Sequence, residues 1–401
     1  MSNGMNQDWI KKIQDRVKKV PIASGRSNKW GKISWDDLVF VPAQLNKRPV
    51  DYYQEKISSK TIIGKNSKKP IELETPIIIG AMSFGAISEE AKTTLAKAST
   101  LAGTMENTGE GGVLPEEREF SKKLIIQYST GRFGITEEIL KKADAIEIKI
   151  GQGAKPGQGG LLPAEKVTDE IAEVRKIEKG KDIHSPAYHL DIKNIDDLRK
   201  KVEWLREITE GVPIIIKLAA GDIENDVKLA IKANPDIIAI DGMEGGTGAA
   251  PEVMLNEVGI STIAALVKAR EVLDKIGAKQ ELWIGGGLNK GGDFAKALAL
   301  GAEAVFCATP LLIAMGCIQC GLCYQGKCPK GIATQDPELR KNLNIEEASR
   351  NVADYIKNCT EEIKMITGAC GKNNIYNLSK DDLRTLDSET AKITKVKLVS
   401  D

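Results

Sequence analysis

Residues 281–331 read ELWIGGGLNKGGDFAKALALGAEAVFCATPLLIAMGCIQCGLCYQGKCPKG. A short apolar strand over 282–284 enters three glycines, a helical pattern follows, and a second apolar strand spans 304–307. Glycines after a strand let the backbone approach an anion and direct N–H groups at it, although they are also common in plain tight turns. The stretch therefore predicts a strand–helix–strand unit with either a phosphate-binding turn or a simple turn.

Four cysteines follow this unit at the spacing C-x2-C-x2-C-x4-C-P: Cys317, Cys320, Cys323 and Cys328. Thiolates at this density are more typical of an iron–sulfur cluster than of zinc, for which two separated CxxC pairs would be expected. Disulfides are a further alternative, but the N-terminus lacks the pattern of a signal peptide, so we expect a reducing, cytoplasmic setting. We therefore predict an iron–sulfur cluster.

The composition excludes some classes of partner. The chain has 401 residues, with 57 Lys and Arg against 56 Asp and Glu, and a net charge of +1. This balance gives no indication of nucleic acid or a membrane surface as partner. No apolar run approaches the roughly 20 residues of a spanning helix, so we expect no membrane segment.

Short apolar runs recur from Pro76 onward, and most are followed by glycine or polar residues and then by a helical pattern. The predicted strands are 77–80, 103–107, 124–129, 145–151, 213–218, 236–241, 282–285 and 304–308. Alternating strands and helices indicate a parallel sheet, and eight such units in about 240 residues indicate an α/β fold of the closed (β/α)8 TIM barrel type.

We divide the chain into three parts. Residues 1–70 are predicted to be an extension that wraps the barrel, with Trp30 and Trp35 among its apolar contacts. Residues 71–340 form the barrel, and the cysteine loop 317–328 follows the eighth strand. Residues 341–401 form a C-terminal helical extension.

Three turns that follow strands six, seven and eight are rich in small residues: Gly245–Thr247, Gly286–Gly287 and Ala308–Thr309. Barrels of this type often bind phosphate after strands seven and eight, so the three turns predict a phosphate site. A phosphate beside an iron–sulfur cluster indicates flavin mononucleotide (FMN), because a flavin holds two electrons and can exchange them singly. A phosphorylated substrate beside a structural cluster is the alternative.

Basic residues after strand four are candidates for binding an acidic substrate. Alternation along the strand puts Lys149 inside the barrel mouth, where its charge would stabilise a reduced flavin. Lys155 and Arg175 could hold carboxylates, Arg175 through a bidentate pair. The connection between strands four and five is unusually long, which is typical of a functional loop, and it contains His184 and His189. An isolated histidine is more often structural than catalytic, so we interpret His184 as structural.

Long motifs between about Pro76 and Arg340 resemble the FMN-binding synthase domain of the glutamate synthase large subunit. They are GAMSFGAIS (80–88), ENTGEGG (106–112), GRFGIT (131–136), IKIGQGAKPGQGG (148–160), EGGTGAAP (244–251), GGGLNKGGD (285–293) and GCIQCGLCYQGKCPKGIATQDPELR (316–340). The segment 285–309 is also similar to the wider group of FMN barrels that includes hydroxyacid oxidases.

The resemblance implies that ammonia condenses with 2-oxoglutarate and that hydride from reduced FMN converts the imine to L-glutamate. It implies that electrons arrive through a [3Fe-4S] cluster, whose ligand spacing C-x5-C-x4-C maps onto Cys317, Cys323 and Cys328. Cys320 is an extra thiol that could permit a [4Fe-4S] cluster.

The predicted site residues form two further sets. Those assigned to the reaction are Glu110, Lys155, Arg175 and Gln158. Those assigned to FMN are Ala81, Met82, Ser83, Asn107, Gln127, Lys149, Gln152, Lys217, Gly245, Gly246, Thr247, Gly286, Gly287, Ala308 and Thr309.

Departures from the family pattern bear on the substrate and the partners. Where the family reads KPGEGGQLPG, this sequence reads KPGQGGLLPA, so Gln158 replaces a carboxylate and Leu161 replaces a glutamine expected to bind 2-oxoglutarate. There is no N-terminal catalytic cysteine, amidotransferase domain, glycine-rich β-helix domain or GxGxxG fingerprint. We therefore expect a stand-alone synthase module that receives electrons from a separate donor, a ferredoxin or a reductase subunit. We also expect a separate source of ammonia or amine, such as an amidotransferase subunit, and an oligomeric assembly.

Two alternatives remain open. The split organisation is similar to archaeal-type glutamate synthases and also to the large subunit of methylamine–glutamate methyltransferase, which implies N-methylglutamate formation as the second reaction. Leu161 is compatible with the more apolar amine pocket that this reaction predicts. The other alternative is a non-catalytic electron-transfer subunit, which predicts a flavin site without a carboxylate clamp.

Overall fold

The computed structural model describes residues 3–27, 29 and 33–401, so Trp30 lies outside the described residues. Within them, eight parallel strands form the barrel: β1 (Ile77–Ile79), β2 (Glu106–Asn107), β3 (Leu124–Tyr128), β4 (Ala145–Lys149), β5 (Ile214–Ala219), β6 (Ile237–Asp241), β7 (Glu281–Gly285) and β8 (Ala304–Cys307). They pair in the order β1-β8-β7-β6-β5-β4-β3-β2. The sheet closes between β1 and β2, where the Ile79 N–H donates to the Met105 carbonyl at 3.0 Å. The predicted barrel is confirmed.

Among the described residues, eight helices surround the strands: α1 (Glu89–Ala102), α2 (Pro115–Phe120), α3 (Glu137–Leu140), α4 (Ile195–Ile208), α5 (Ile223–Lys232), α6 (Thr262–Ile276), α7 (Gly291–Ala299) and α8 (Ile345–Ala369). Helix α8 packs against α1 and α7 and so fills the position after β8 in the ring. Other α-helices are Asn3–Lys18, Asp169–Arg175, Glu252–Glu257, Thr309–Ala314, Pro337–Arg340 and Ser388–Thr394. Short 3-10 helices are Trp35–Asp37, Ala164–Lys166, Ile375–Asn377 and Lys380–Asp382.

Apolar side chains fill the base of the barrel, and charged and polar side chains line its mouth. Ile125, Ile215 and Trp283 point inward near the base and are at most 1% exposed. Because side chains alternate along a strand, the next inward positions on β3 and β5 are Gln127 and Lys217, which face the mouth. The hairpin of Thr61–Ile63 and Ile71–Leu73 contributes Ile63 and Leu73 to the same apolar cluster and closes the base.

The N-terminal extension wraps the barrel, as predicted. Its strand Ile22–Gly25 pairs antiparallel with Thr247–Pro251, which follows β6 at the mouth. Its strand Leu38–Phe40 pairs with Leu383–Thr385 near the C-terminus. A further small pair, Leu161–Leu162 with Ile183–His184, lies in the long connection after β4. None of the helices in the described part of the chain combines the length and apolarity needed to cross a bilayer.

A buried ion cluster joins the mouth ends of β1 and β2. The Lys92 Nζ lies 3.1 Å from Glu106 and 2.7 Å from Glu117, and all three side chains are fully buried. The same ammonium donates to the carbonyls of Met82 at 2.8 Å and Thr108 at 3.2 Å. Burial raises the pKa of Glu106 to about 8, although the charge of Lys92 opposes this shift. The cluster therefore fixes the two loops that open into the site.

Lys92→Ala is expected to lower the free energy of unfolding by about 3–5 kcal/mol, because it leaves buried carboxylates without their cation. Urea unfolding followed by circular dichroism measures the change. Lys60→Ala is the control, since it breaks an ion pair with Glu72 in which both side chains are more than half exposed, and it should cost less than about 1 kcal/mol. Equal losses in the two variants would contradict the structural role of Lys92.

Candidate active site

A cavity of about 410 Å³ opens at the carboxyl ends of the strands. Its wall includes these predicted site residues: Ala81, Met82, Ser83, Glu110, Gln127, Lys149, Gln152, Lys155, Arg175, Lys217, Gly245, Gly246, Thr247, Gly286, Gly287, Ala308, Thr309, Cys317 and Cys323. The others, Asn107, Gln158, Cys320 and Cys328, do not line it. The structure thus brings most of the predicted residues to one place.

Two of the residues outside the wall have clear structural settings. The Asn107 Oδ1 accepts a hydrogen bond from the Gly109 N–H at 3.0 Å, so its side chain shapes the turn after β2. Gln158 is exposed and follows Gly157, whose φ of 72° turns the chain outward. The structure therefore does not bring Gln158 to the reaction site, whereas Leu161 lines the cavity.

The three predicted turns form one cradle at the ends of β6, β7 and β8. A Cβ on Gly246 would lie 2.6 Å from the Thr309 Oγ1, and a Cβ on Gly286 would lie 2.7 Å from the Thr262 Oγ1. Gly286 and Gly287 also have φ values of 111° and 75°, which disfavour other residues. Such a glycine-lined turn leaves backbone N–H groups accessible to an anion, so the cradle fits a phosphate.

Four buried cations line the cavity, of which Lys217 pairs with Asp241. The other three are Lys155, Lys166 and Arg175, at 6%, 5% and 4% exposure. The Lys155 Nζ donates to the Ala249 carbonyl at 3.2 Å, and the Arg175 Nε donates to the Phe84 carbonyl at 3.1 Å. Burial lowers the pKa of Lys155 and of Lys166 to about 8 and that of Arg175 to about 10. Among the described residues, none of the three forms an ion pair with a carboxylate. Because buried charges need compensation, the cavity favours an anionic ligand.

Glycines admit the short helix that carries Arg175. A Cβ on Gly111 would lie 3.0 Å from the Arg175 Nη2, and a Cβ on Gly112 would lie 2.9 Å from the Val174 carbonyl oxygen. Gly112 also has a φ of 79°. The paired glycines of the ENTGEGG motif therefore give the helix Asp169–Arg175 room to approach the mouth.

Glu110 faces these cations. Its Oε2 lies 3.1 Å from the Lys149 Nζ, which points into the mouth as strand alternation predicted. Although burial opposes ionisation, Lys149, Ser185 and Arg175 outweigh it and lower the pKa of Glu110 to about 2. Its Oε1 is buried without a hydrogen-bond partner in the described part of the chain. That oxygen is an acceptor open to a ligand N–H.

His189 fixes the end of β4. Its Nε2 bonds the Lys149 carbonyl at 2.8 Å, and its Nδ1 lies 2.7 Å from the Arg132 guanidinium. Because arginine can only donate, Nδ1 is the acceptor and the ring is neutral. Burial, with the charge of Arg132, lowers the pKa of His189 to about 4. His184 is exposed and does not line the cavity.

Acid is expected to destabilise the protein through His189. The unfolded pKa of 6.5 exceeds the folded value of about 4, so the unfolded state binds more protons between them and stability falls as the pH drops through this window. The free energy of unfolding is expected to fall by about 3 kcal/mol through this one histidine. Urea unfolding across this pH range measures it. His189→Gln should flatten the pH dependence, whereas His184→Gln should leave it unchanged. An unaltered slope in the His189 variant would contradict the assignment.

The charged groups that act on His189 are Arg132, Asp191 and Glu110, and the Tyr128 ring stacks on it. Arg132 and Lys201 both pair with Asp191, at 2.7 Å and 2.8 Å. The carboxyl of Asp191 stays ionised in this setting, since burial is outweighed by these cations and its pKa is lowered. Within this group of charges, the titration in this window is therefore assigned to the histidine.

The cysteine loop forms one edge of the cavity. Cys317 and Cys323 line it, Cys328 is buried, and Cys320 is exposed. Burial raises the pKa of the Cys323 thiol to about 11, with further contributions from the other three thiols. Within the described residues, no three ligating side chains are grouped around a position for a single metal ion. The thiols that are buried or line the cavity, Cys317, Cys323 and Cys328, are the ones that could hold an iron–sulfur cluster.

Two contributors to the wall were not predicted from the sequence. The Lys166 Nζ donates to the carbonyls of Ala86 at 3.2 Å and Cys323 at 3.3 Å, and so joins the β1 loop to the cysteine loop. Residues Ser24–Arg26 of the N-terminal extension also line the cavity. Neither a single loop lysine nor a strand more than two hundred positions from the cradle carries a local sequence signal.

The fold and this site define a (β/α)8-barrel enzyme with a glycine-rich anion cradle and a cationic mouth. Comparison with known sequences makes the assignment specific. The conserved region in glutamate synthase matches residues 5–373. The glutamate synthase large subunit-like protein of Rhizobium meliloti (strain 1021) is 41% identical over 384 residues, which cover 91% of this chain and 87% of that protein. The archaeal glutamate synthase (NADPH) of Methanocaldococcus jannaschii is 41% identical over 398 residues, covering 90% and 78%.

The chain belongs to the glutamate synthase family and is a glutamate synthase-like oxidoreductase. The family predicted from the motifs is confirmed. Solved structures support the fold at lower identity. A Pediococcus acidilactici lactate oxidase superposes with a TM-score of 0.59 at 14% identity, covering 90% of this chain and 88% of that chain. A mutant flavocytochrome b2 superposes with a TM-score of 0.59 at 19% identity, covering 92% and 81%.

Proposed function

We propose that the protein binds FMN and reduces the imine of 2-oxoglutarate and ammonia to L-glutamate. The observation that carries this proposal is that one cavity joins a phosphate cradle to buried cations without carboxylate partners. The cradle suits the phosphate of FMN, and the cations suit a dicarboxylate. Family membership supports the same reaction.

Bound FMN supplies the hydride and the capacity to exchange electrons singly. The turns containing Gly246, Gly286 and Thr309 would hold its phosphate. Lys217, whose Nζ lies 3.6 Å from the Asp241 Oδ2, stays charged because Asp241 and Glu147 outweigh its burial and raise its pKa. A fixed cation at the mouth stabilises negative charge that develops on a reduced ring.

The substrate carboxylates are assigned to Lys155 and Arg175. Both are pre-positioned by backbone carbonyls, and a dianion would compensate charges that otherwise stay buried. Leu161 lines the cavity and offers its apolar surface to the methylene carbons between the carboxylates. Gln158 is exposed, so its exchange for the family carboxylate does not alter the wall.

Glu110 is proposed to receive the nitrogen. Its unpartnered Oε1 can accept an N–H from ammonia, and its charge favours the protonated imine that takes up hydride. Condensation of the oxo group with ammonia releases water, and hydride addition to the imine carbon completes the amino acid. Lys149 keeps the carboxylate oriented through Oε2.

Electrons are proposed to enter through a [3Fe-4S] cluster held by Cys317, Cys323 and Cys328. Two of these thiols line the cavity, so a cluster held by them would lie beside the proposed flavin site. Cys320 is exposed and stands apart from this arrangement, although as a fourth ligand it would give a [4Fe-4S] cluster. A separate protein is the expected donor.

N-methylglutamate formation is the second candidate, because Leu161 makes one side of the cavity apolar and methylamine would benefit from that surface. A non-catalytic electron-transfer role is the least supported, since it gives no reason to bury Lys155 and Arg175.

Anaerobic reoxidation of the flavin tests the proposal. The reconstituted protein is reduced with dithionite and mixed with 2-oxoglutarate and either ammonium or methylamine, while flavin absorbance is followed and products are analysed. Reoxidation with ammonium and formation of glutamate would support the proposal. Reoxidation with methylamine alone would support the second candidate, and no reoxidation with either would contradict both.

A further inference from the structure

The N-terminal strand Ile22–Gly25 is fastened across the mouth of the barrel. It pairs with Thr247–Pro251, and the Ser24 Oγ donates to the Gly248 carbonyl at 2.6 Å. The same hydroxyl accepts the Tyr324 N–H of the cysteine loop at 2.9 Å. These contacts fix the position of the residue that follows the strand, Arg26.

Arg26 lies at the phosphate cradle. Its Nη1 donates to the Asn289 Oδ1 at 3.4 Å, and the Asn289 Nδ2 donates to the Gly287 carbonyl at 2.7 Å. The preceding carbonyl, that of Gly25, would lie 3.5 Å from a Cβ on Gly246. The strand thus carries its arginine to the side of the cradle formed by the turns after β6 and β7.

A phosphate monoester near neutral pH carries a charge of about −1.5 to −2. In the described structure, the polar contacts of the other cations of the cavity wall lie away from the β7 turn: Lys149 contacts Glu110, Lys217 contacts Asp241, Lys155 contacts Ala249, Lys166 contacts Ala86 and Cys323, and Arg175 contacts Phe84. Arg26 is the cation of the described wall that contacts the β7 turn through Asn289.

We propose that Arg26 is a binding residue for the FMN phosphate, delivered to the cradle by the N-terminal strand. The guanidinium offers several N–H donors and a permanent charge, which suit phosphate oxygens. This inference rests on the proposed binding of FMN. It makes the N-terminal extension part of the cofactor site and not only a structural wrap.

The test compares FMN with riboflavin, which lacks the phosphate. Flavin-free protein is titrated with each ligand, and quenching of flavin fluorescence gives the two Kd values. Arg26→Gln is expected to weaken FMN binding about tenfold while leaving riboflavin binding within about twofold. Arg26→Lys should retain part of the preference for FMN, since it keeps the charge but loses the planar fork.

Arg16→Gln is the matched control, because Arg16 lies on the same extension but pairs with Glu252 at 3.1 Å. It should leave both Kd values unchanged. If Arg26→Gln weakens FMN and riboflavin equally, the arginine only fastens the strand and the inference is overturned. An unchanged FMN Kd also overturns it. Failure of the unsubstituted protein to bind FMN at all would instead overturn the proposed function.

Discussion

Lys155→Ala is expected to raise the KM for 2-oxoglutarate by about 10- to 100-fold, the cost of losing a charge-assisted hydrogen bond to a buried carboxylate. The effect is large because Lys155 is 6% exposed and pairs with no carboxylate in the described structure. FMN binding should change by less than about twofold, since Lys155 contacts the Ala249 carbonyl and not the cradle glycines.

Steady-state kinetics with saturating ammonium and reduced enzyme measure the KM, and fluorescence titration measures the FMN Kd. Lys327→Ala is the matched control, because it removes the same charge from an exposed position in the cysteine loop. It should leave the KM unchanged. Equal losses of substrate and FMN affinity in the Lys155 variant would mean that the lysine serves the cofactor.

The parts of this site that the sequence predicted are those set by local pattern. Alternation within one strand oriented Lys149, and glycines directly after strands marked the cradle at Gly246 and Gly286. Arg26 could not be found in this way, because its place depends on a strand pairing with a segment more than two hundred residues away. Gln158 shows the opposite failure: its place in a motif that resembles the family predicted a site residue, but Gln158 follows the turn at Gly157 and is exposed.

Burial distinguishes the cysteines in a way that spacing could not. The four thiols all lie within residues 317–328, yet Cys320 is exposed, Cys317 and Cys323 line the cavity, and Cys328 is buried. Side-chain environment therefore separates one cysteine from three, whereas the sequence alone predicted a [3Fe-4S] cluster and kept a [4Fe-4S] cluster as the alternative.

Cys323→Ser is expected to abolish iron and sulfide binding, because it removes the middle ligand of the proposed cluster. FMN should still bind, since the cradle lies on other loops. Reduction of the flavin by a one-electron protein donor should be lost, while direct chemical reduction by dithionite persists. Iron analysis, EPR spectroscopy of the oxidised protein and stopped-flow flavin absorbance separate these effects.

Cys320→Ser is the matched substitution. It makes the same change of side chain in the same loop, but at an exposed position. It should retain the iron content and the EPR signal of the unsubstituted protein, because an exposed thiol outside the sheltered set is not required by a three-iron cluster. Loss of iron in this variant as well would show that four thiolates bind a [4Fe-4S] cluster. Retention of iron in Cys323→Ser would contradict the ligand assignment, because no substitution of a true ligand by a weaker hydroxyl should leave the cluster intact.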